Sequence, residues 1–430
     1  MATAKVPADV PALWARLSSP RGIFLTAFVV GLLTVLAMDV TYRGHLLAVD
    51  SAEYVQLADS LAAGQGYTLP NGAPGTRVPP LFPLMLAGVR LLPVDVVAAT
   101  GVVNALLGAV TCVLLYWICR RTFADHRVAP IAALGLAIYP FHLFHTGYVL
   151  KENLAIWALV LAVAVWIEAM YRQSFRWALI AGVATGVAVL ARYYPTAGLP
   201  IAFVIGAGYE RWRRAGFPWL KLIAGLLGVL ALCVAPWFVR NWVRSGTFSL
   251  STYGIGYYLY TSNGPGVVPD TSGYFEARGL ANDVTYSVGR DQWNEQEALS
   301  KALETMADDP QRTATLFGAK LISFWRPVWA GSSAGTWLTL GATYAVMMLL
   351  ALVGARARGP GRFRAVLWAT IGVYAIVHLI FWGMIRERNY IEPFLIAFAA
   401  RGFLVVADAL QSRRVRSGPR WVPRAASPPQ

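Results

Sequence analysis

The sequence predicts an all-α polytopic membrane protein, a bundle of about ten transmembrane helices with two sizeable loops on one side. Three observations lead there. Of 430 residues, 57% are hydrophobic and 14% charged, with a mean hydropathy of +0.51. Apolar blocks of about 20 residues recur along the whole length, each long enough as a helix to cross about 30 Å of hydrocarbon. The arginines fall in the short turns between alternate blocks, the positive-inside pattern. Alternating ten-residue barrel strands are absent.

The first apolar run, Ile23 to about Val40, follows Lys5, Arg16 and Arg21. It is too long for a signal-peptide core and no small-residue cleavage site follows, so it reads as an uncleaved span. Further spans are expected at about 96–118, 129–149, 153–171, 177–191, 195–209, 220–238, 336–354, 365–383 and 391–410. Arg120 and Arg121 follow the second span, Arg172 and Arg176 the fourth, Arg211, Arg213 and Arg214 the sixth, and Arg356, Arg358, Arg362 and Arg364 the eighth. Those turns and both termini are therefore expected in the cytoplasm. Residues 1–410 form one membrane domain with outer loops at 41–95 and 239–335, and residues 411–430 a disordered basic cytoplasmic tail.

The net charge of +15 would suggest nucleic acid in a soluble protein; here it marks the cytoplasmic turns, and no nucleic-acid partner is expected. Cys112, Cys119 and Cys233 have no paired spacing and supply neither disulfide framework nor zinc site. His142 and His145, near the end of the third span, read as an interfacial pair rather than a metal site. No HExxH, P-loop or nucleophile elbow is present.

Function is expected on the outer face. The first loop opens with Asp50-Ser51-Ala52-Glu53-Tyr54, followed by Gly64-Gln65-Gly66-Tyr67 and Arg77-Val78-Pro79-Pro80. A carboxylate pair just past a membrane helix, followed by an arginine, suits chemistry at the bilayer surface. Asp50-x-x-Glu53 also fits a capping box, and one residue can serve as both cap and base. Tyr54, Ala58, Leu61 and Ala62 share one side of the helix that follows, with Glu53, Gln56 and Ser60 on another, as for a helix lying along the interface.

Lys151-Glu152-Asn153 opens the fourth span, either to complement its dipole or to line a wet cavity. Arg192-Tyr193-Tyr194-Pro195 breaks the fifth and sixth spans, and Arg240-Asn241 ends the seventh. Arg386 and Arg388 lie outside against the positive-inside rule, which asks for a negative partner: a lipid-linked phosphate, or Glu387 and Glu392. The second loop is rich in Tyr, Gly, Asn and Ser, and its stretch from Tyr253 to Asn263 is expected to help choose the acceptor. The loop ends in an apolar stretch interrupted by Lys320 and Arg326, read as a helix docked on the outer face.

The run Asp50-x-x-x-Tyr54, Ala58, Gly64-x-Gly66-Tyr67 and Pro79-Pro80-x-x-Pro83 resembles the first periplasmic loop of the GT-C superfamily of membrane glycosyltransferases. The nearest look is to its protein-mannosyltransferase-like branch, which includes the aminoarabinose transferases. Ala235-Pro236-Trp237-x-x-Arg240-Asn241, Trp325-x-Pro327 and Arg386-x-Arg388-x-x-x-x-Pro393 resemble later landmarks of that branch.

The resemblance implies transfer of a hexosyl or pentosyl group from a polyprenyl-phosphate donor to a glycan, lipid or protein hydroxyl outside the bacterial inner membrane, with inversion. It implies Asp50 as general base with Glu53 in support, since carboxylates do this work when the sugar is oxocarbenium-like. Tyr54, Arg77, Lys151, Glu152, Arg192, Arg240, Asn241, Arg386 and Arg388 are the candidate substrate-binding residues. Arg77 and Arg388 stand first for the donor phosphate, because guanidinium matches phosphate oxygens. The sequence departs from the family pattern at the acidic motif and in carrying no extended C-terminal domain, the latter suggesting a compact bacterial member. Ser51 stands where many members carry a second acid, and Val78 where some carry a phosphate-binding lysine. No cofactor is expected, a divalent metal not being favoured. The alternative is a transporter or flippase, which would show repeats and midspan charges; here the charges collect at outer helix ends.

Overall fold

The computed structural model describes residues 9–42, 50–246, 248–251, 254–265, 267, 295–328, 332–357 and 361–417. Helices dominate, and among the described residues the only strand-like pairings are two isolated bridges, Thr68 with Pro74 and Phe123 with Gly361. The chain starts with α1 (Asp9–Leu17) and the first long apolar helix, α2 (Pro20–Tyr42). Ser19 caps α2, its hydroxyl accepting the Gly22 N–H at 3.1 Å, and Pro20 opens the helix where no N–H is needed. Beyond residue 49 come α3 (Ser51–Ala62) and α4 (Leu81–Arg90), packed on each other. The buried side of α3 is Ser51, Tyr54, Leu57, Ala58 and Ser60. Ser60 is thus on the buried side, where the amphipathic reading had Ala62.

Asp95 caps α5 (Val96–Thr122), accepting the Ala98 N–H at 2.8 Å. The expected third span is not continuous: α6 (Val128–Ala137) stops, Tyr139 is extended, and a short α7 (Pro140–Phe144) follows. Pro140 has no N–H to continue the ladder and disfavours helical backbone in Tyr139. His142 and His145, expected as an interfacial pair, are 6% and 3% exposed, buried within the protein.

Two antiparallel helices follow, α8 (Glu152–Arg172) and α9 (Phe175–Ala191), joined through Gln173 at φ 50°. After the short α10 (Tyr193–Thr196) come α11 (Leu199–Arg213) and α12 (Trp219–Ser245), the latter running past the expected end of the seventh span. The second long loop contributes α13 (Ile255–Asn263), α14 (Glu295–Asp308) and α15 (Pro310–Trp325). Last come α16 (Ala334–Arg356), with a π turn at Trp337–Gly341, α17 (Arg364–Ile380), α18 (Ile385–Arg388) and α19 (Glu392–Ser417). Residues 411–417, expected in the tail, continue α19, and 418–430 lie outside the described residues.

Six of these helices, α2, α5, α8, α12, α16 and α19, are long and apolar enough to cross a membrane, with four shorter apolar helices beside them. The protein is therefore a polytopic helical membrane protein, as expected. Its core, which includes Trp166, Phe203 and Phe398, draws buried side chains from α5, α6, α8, α9, α11, α17 and α19. α16 and α19 cross at Gly354 and Gly402, where an added Cβ would lie 1.9 Å from the Phe398 and Leu350 carbonyl oxygens respectively. Small residues there let the two backbones touch, the usual means of holding helices together in lipid.

Charges at the two ends of the bundle behave differently. At one end, Arg121 pairs with Glu168 at 2.8 Å and Arg127 with Asp408 at 2.7 Å, surface pairs of ordinary kind. At the other end the start of α8, the end of α9 and α18 meet over α3 and bring their charges together under cover.

Candidate active site

Asp50 precedes α3 and makes no capping bond, so the capping-box reading fails. Glu53 does not reach back because Arg77 takes it: their side chains form an ion pair across the first loop. Instead the Asp50 carboxylate, 38% exposed, lies 3.8 Å from Arg386, which is 35% exposed. Ser51, the departure from a second acid, is buried and donates its hydroxyl to the Val149 carbonyl at 2.8 Å. That bond ties the start of α3 to the turn preceding Lys151.

Beneath Asp50 lies a buried ion network. Lys151 donates to the Tyr54 hydroxyl at 2.8 Å; burial pushes its ammonium down to about 8, and the nearby Arg192 charge adds to this. Burial, and then the charge of Asp50, raise the Tyr54 phenol well above its usual range, so it remains a neutral hydroxyl. Glu152, 1% exposed, lies 3.8 Å from Arg192 and 3.6 Å from Arg386. Arg192 places one nitrogen 2.6 and 2.7 Å from the two Glu387 oxygens and donates to the Tyr390 hydroxyl at 2.9 Å. Burial opposes the charge on Glu387, yet Arg192 beside it holds the carboxyl well below the usual range. His378 donates its Nδ1–H to the Tyr374 carbonyl at 2.7 Å, and its other nitrogen lies 3.4 Å from Glu387.

Arg386 is unlike every other cation here. It stands 3.6 to 3.9 Å from Glu152, Asp50 and Glu387 and, among the described residues, hydrogen-bonds to none of them. Its neighbours on α18 explain why it is presented outward. Glu387 is held by Arg192, and Arg388 is sealed in the interior, bonded to Glu392 at 2.8 Å and to the Phe324 and Arg326 carbonyls at 3.1 and 2.6 Å. The preceding turn is close-packed too: at Gly383 a Cβ would lie 2.5 Å from the Lys320 carbonyl. Lys320, fully buried, donates to Asn263 at 2.6 Å and to the Ile380 carbonyl, the end of α17, at 3.1 Å.

The sequence candidates therefore divide. Asp50, Tyr54, Lys151, Glu152, Arg192 and Arg386 come together. Arg388 is 0% exposed with its guanidinium turned away into the protein, which removes it from the phosphate role expected of it. Arg240 is committed to the first loop, donating to Gly75 and Tyr67 carbonyls at 2.6 and 2.8 Å while lying over Trp237. Asn241 donates to the Ser249 and Leu250 carbonyls, both at 3.0 Å. Both hold loops, and neither reaches the ion network. Glu387, Tyr390 and His378 belong to the site and were not singled out for it; only Glu387 had a signal, as the acid between two misplaced arginines. Among the described residues, no three His, Cys, Asp or Glu side chains are grouped to hold a metal ion.

Residues 77–238 match the family described as dolichyl-phosphate-mannose-protein mannosyltransferase. Among solved structures, the Archaeoglobus fulgidus oligosaccharyltransferase in complex with zinc and sulfate is similar at a TM-score of 0.55 and 18% identity, over 90% of this chain and 50% of that one. The same organism's AglB, with an inhibitory peptide and a dolichol-phosphate, gives 0.51 and 17%, over 94% and 52%. ArnT from Cupriavidus metallidurans bound to undecaprenyl phosphate is a looser likeness, at 0.48 and 16% over 97% and 82%. The chain spans about half the length of the archaeal proteins it matches. No curated protein matches it significantly. The similarity to the archaeal structures over nine-tenths of the chain, joined to the family match, identifies the bundle as a GT-C fold.

Proposed function

We propose that the protein is an integral membrane glycosyltransferase that moves a sugar, with inversion, from a polyprenyl-phosphate donor to a hydroxyl acceptor on the outer face of the membrane. The observation that carries this is the pairing of Asp50 and Arg386: one carboxylate and one guanidinium, each a little over a third exposed, 3.8 Å apart above an otherwise buried ion network. The dolichyl-phosphate of the family description and the dolichol-phosphate with the archaeal relative support a polyprenyl phosphate as the carrier.

Arg386, which among the described residues hydrogen-bonds to none of the carboxylates around it, offers its N–H groups to the donor's phosphate oxygens, where they also take up the charge that develops as the sugar departs. Lys151, fixed by Tyr54, supplies a second cation. Asp50 accepts the proton of the acceptor hydroxyl. Its weak basicity suffices if proton transfer is late and the sugar is already oxocarbenium-like. Glu152 and Glu387 act through the arginines they hold, so that Arg386 meets the phosphate already placed.

Replacing Asp50 by Asn tests the reading. The side chain makes no cap and is partly in solvent, so melting should hold while turnover with a polyprenyl-phosphate sugar falls by about a hundredfold or more. Glu53→Gln, which alters the Glu53–Arg77 pair, is the matched control and should retain turnover. A fully active Asp50→Asn protein would rule out the base.

A further inference from the structure

We infer that the charges around Arg386 make the site favour the phosphodiester donor over the phosphomonoester it leaves behind, and that recharging of Asp50 expels the spent carrier; this rests on the transferase reading above. The basis is a count of charges at one guanidinium. Arg386 faces Asp50 at 3.8 Å, Glu152 at 3.6 Å and Glu387 at 3.9 Å. Against these three carboxylates stand Arg386 itself, Arg192 on Glu387 and Lys151 on Tyr54. Tyr54 and Tyr390 add neutral hydroxyls, His145 lies behind Glu152, and the His378 imidazole stands 3.4 Å from Glu387, at the carboxylate oxygen other than the one nearest Arg386. The three cations only balance the three anions, leaving no surplus positive charge for a dianion.

The transfer changes that balance in a definite order. The acceptor hydroxyl gives its proton to Asp50 as its oxygen bonds to the anomeric carbon. The bond from that carbon to the phosphate oxygen breaks, and its electron pair stays on the oxygen. A donor diester brings one negative charge, and the monoester left behind carries two at neutral pH, its second ionisation lying near pH 6. At that moment Asp50 is neutral, so the charge lost there offsets the charge gained on the phosphate, with Arg386 in reach of both. When Asp50 gives its proton to water, the dianion faces the Asp50 and Glu152 carboxylates across one shared guanidinium. Glu152 cannot turn away, being 1% exposed, and like charges at this range repel strongly under cover.

Binding of two lipids to the detergent-purified full chain tests this without turnover: polyprenyl phosphate, and its methyl diester, which stays a monoanion. At pH 7.5 the wild type should bind the diester about tenfold tighter than the monoester, and at pH 5.5, where the monoester is mostly a monoanion, the two should converge. Asp50→Asn should tighten the monoester about tenfold and the diester about threefold at pH 7.5, since removing one negative charge relieves a dianion twice as much as a monoanion. Tighter wild-type binding of the monoester at pH 7.5, or no change in either affinity on Asp50→Asn, would overturn the inference and leave the transferase reading standing. Failure of the wild type to bind either lipid would overturn both.

Discussion

Lys320 offers a prediction that depends on burial alone. Its ammonium is fully enclosed on α15, with the Asn263 amide oxygen and the Ile380 carbonyl as its hydrogen-bond partners. Burial, with the charge of Arg312 adding to it, pushes the group down to about 7 from an ordinary 10.5. Between those values the unfolded chain holds a proton that the folded chain has released, so stability should rise with pH from about 7 to about 10.5. Below pH 7 both states hold the proton and the full cost of the buried charge is present. Each pH unit in the window is worth about 1.4 kcal/mol, or about 2 to 3 kcal/mol from pH 7 to 9. Lys320→Met removes the titrating group while roughly filling its space. The Met variant should therefore be the more stable protein at pH 6.5, and its advantage should shrink by that amount at pH 9. Melting of both proteins in one detergent across the range measures it. The difference between them matters, because Lys151 is also pushed down, to about 8, and contributes to the slope of each. A difference that stays flat from pH 6.5 to 9 would refute the buried, uncompensated ammonium.

Two further outcomes separate the arginines and the acid that orders them. Arg386→Ala should weaken donor binding by about 1.5 to 3 kcal/mol, the value of charge-assisted bonds to a phosphate, whereas Arg77→Ala, which loses a pair on a side chain 44% exposed, should cost less than about 1 kcal/mol of stability and leave donor binding unchanged; titration with the methyl diester of polyprenyl phosphate distinguishes them. Glu387→Gln leaves Arg192 charged and buried without its main partner, so melting should show a loss of about 3 to 5 kcal/mol.

Much of the site was legible because membrane sequences write their exceptions plainly. Lys151 and Glu152 in an apolar block, and Arg386 on the wrong side of the charge rule, stand out without any structure, since each charge near lipid needs a partner or water. The partner that takes Arg388 was also in view: Glu392, one of the two acids set beside the misplaced arginines, lies four residues on, the spacing at which helical side chains pair. Asp50-x-x-Glu53 misled because a capping box is a local pattern, and Arg77, 24 residues along the chain, competes for Glu53. His378 left no signal, being a single polar residue in an apolar run, and Tyr390 stands directly after the charged residues 386–388, which drew the reading instead.

By itself the sequence determined the class of the protein: hydropathy over about 20 residues decides whether a helix can live in lipid, and that is a property of each segment alone. It also indicated that the charges collect at helix ends. Only the tertiary structure decided which arginine is available. Arg240 is spent on loop carbonyls, Arg77 on Glu53, Arg192 on Glu387 and Arg388 on Glu392, while Arg386 is held among three carboxylates without a hydrogen bond to any. A guanidinium's freedom depends on every acceptor within about 4 Å, and those acceptors come from chain segments up to hundreds of residues apart that only folding brings together.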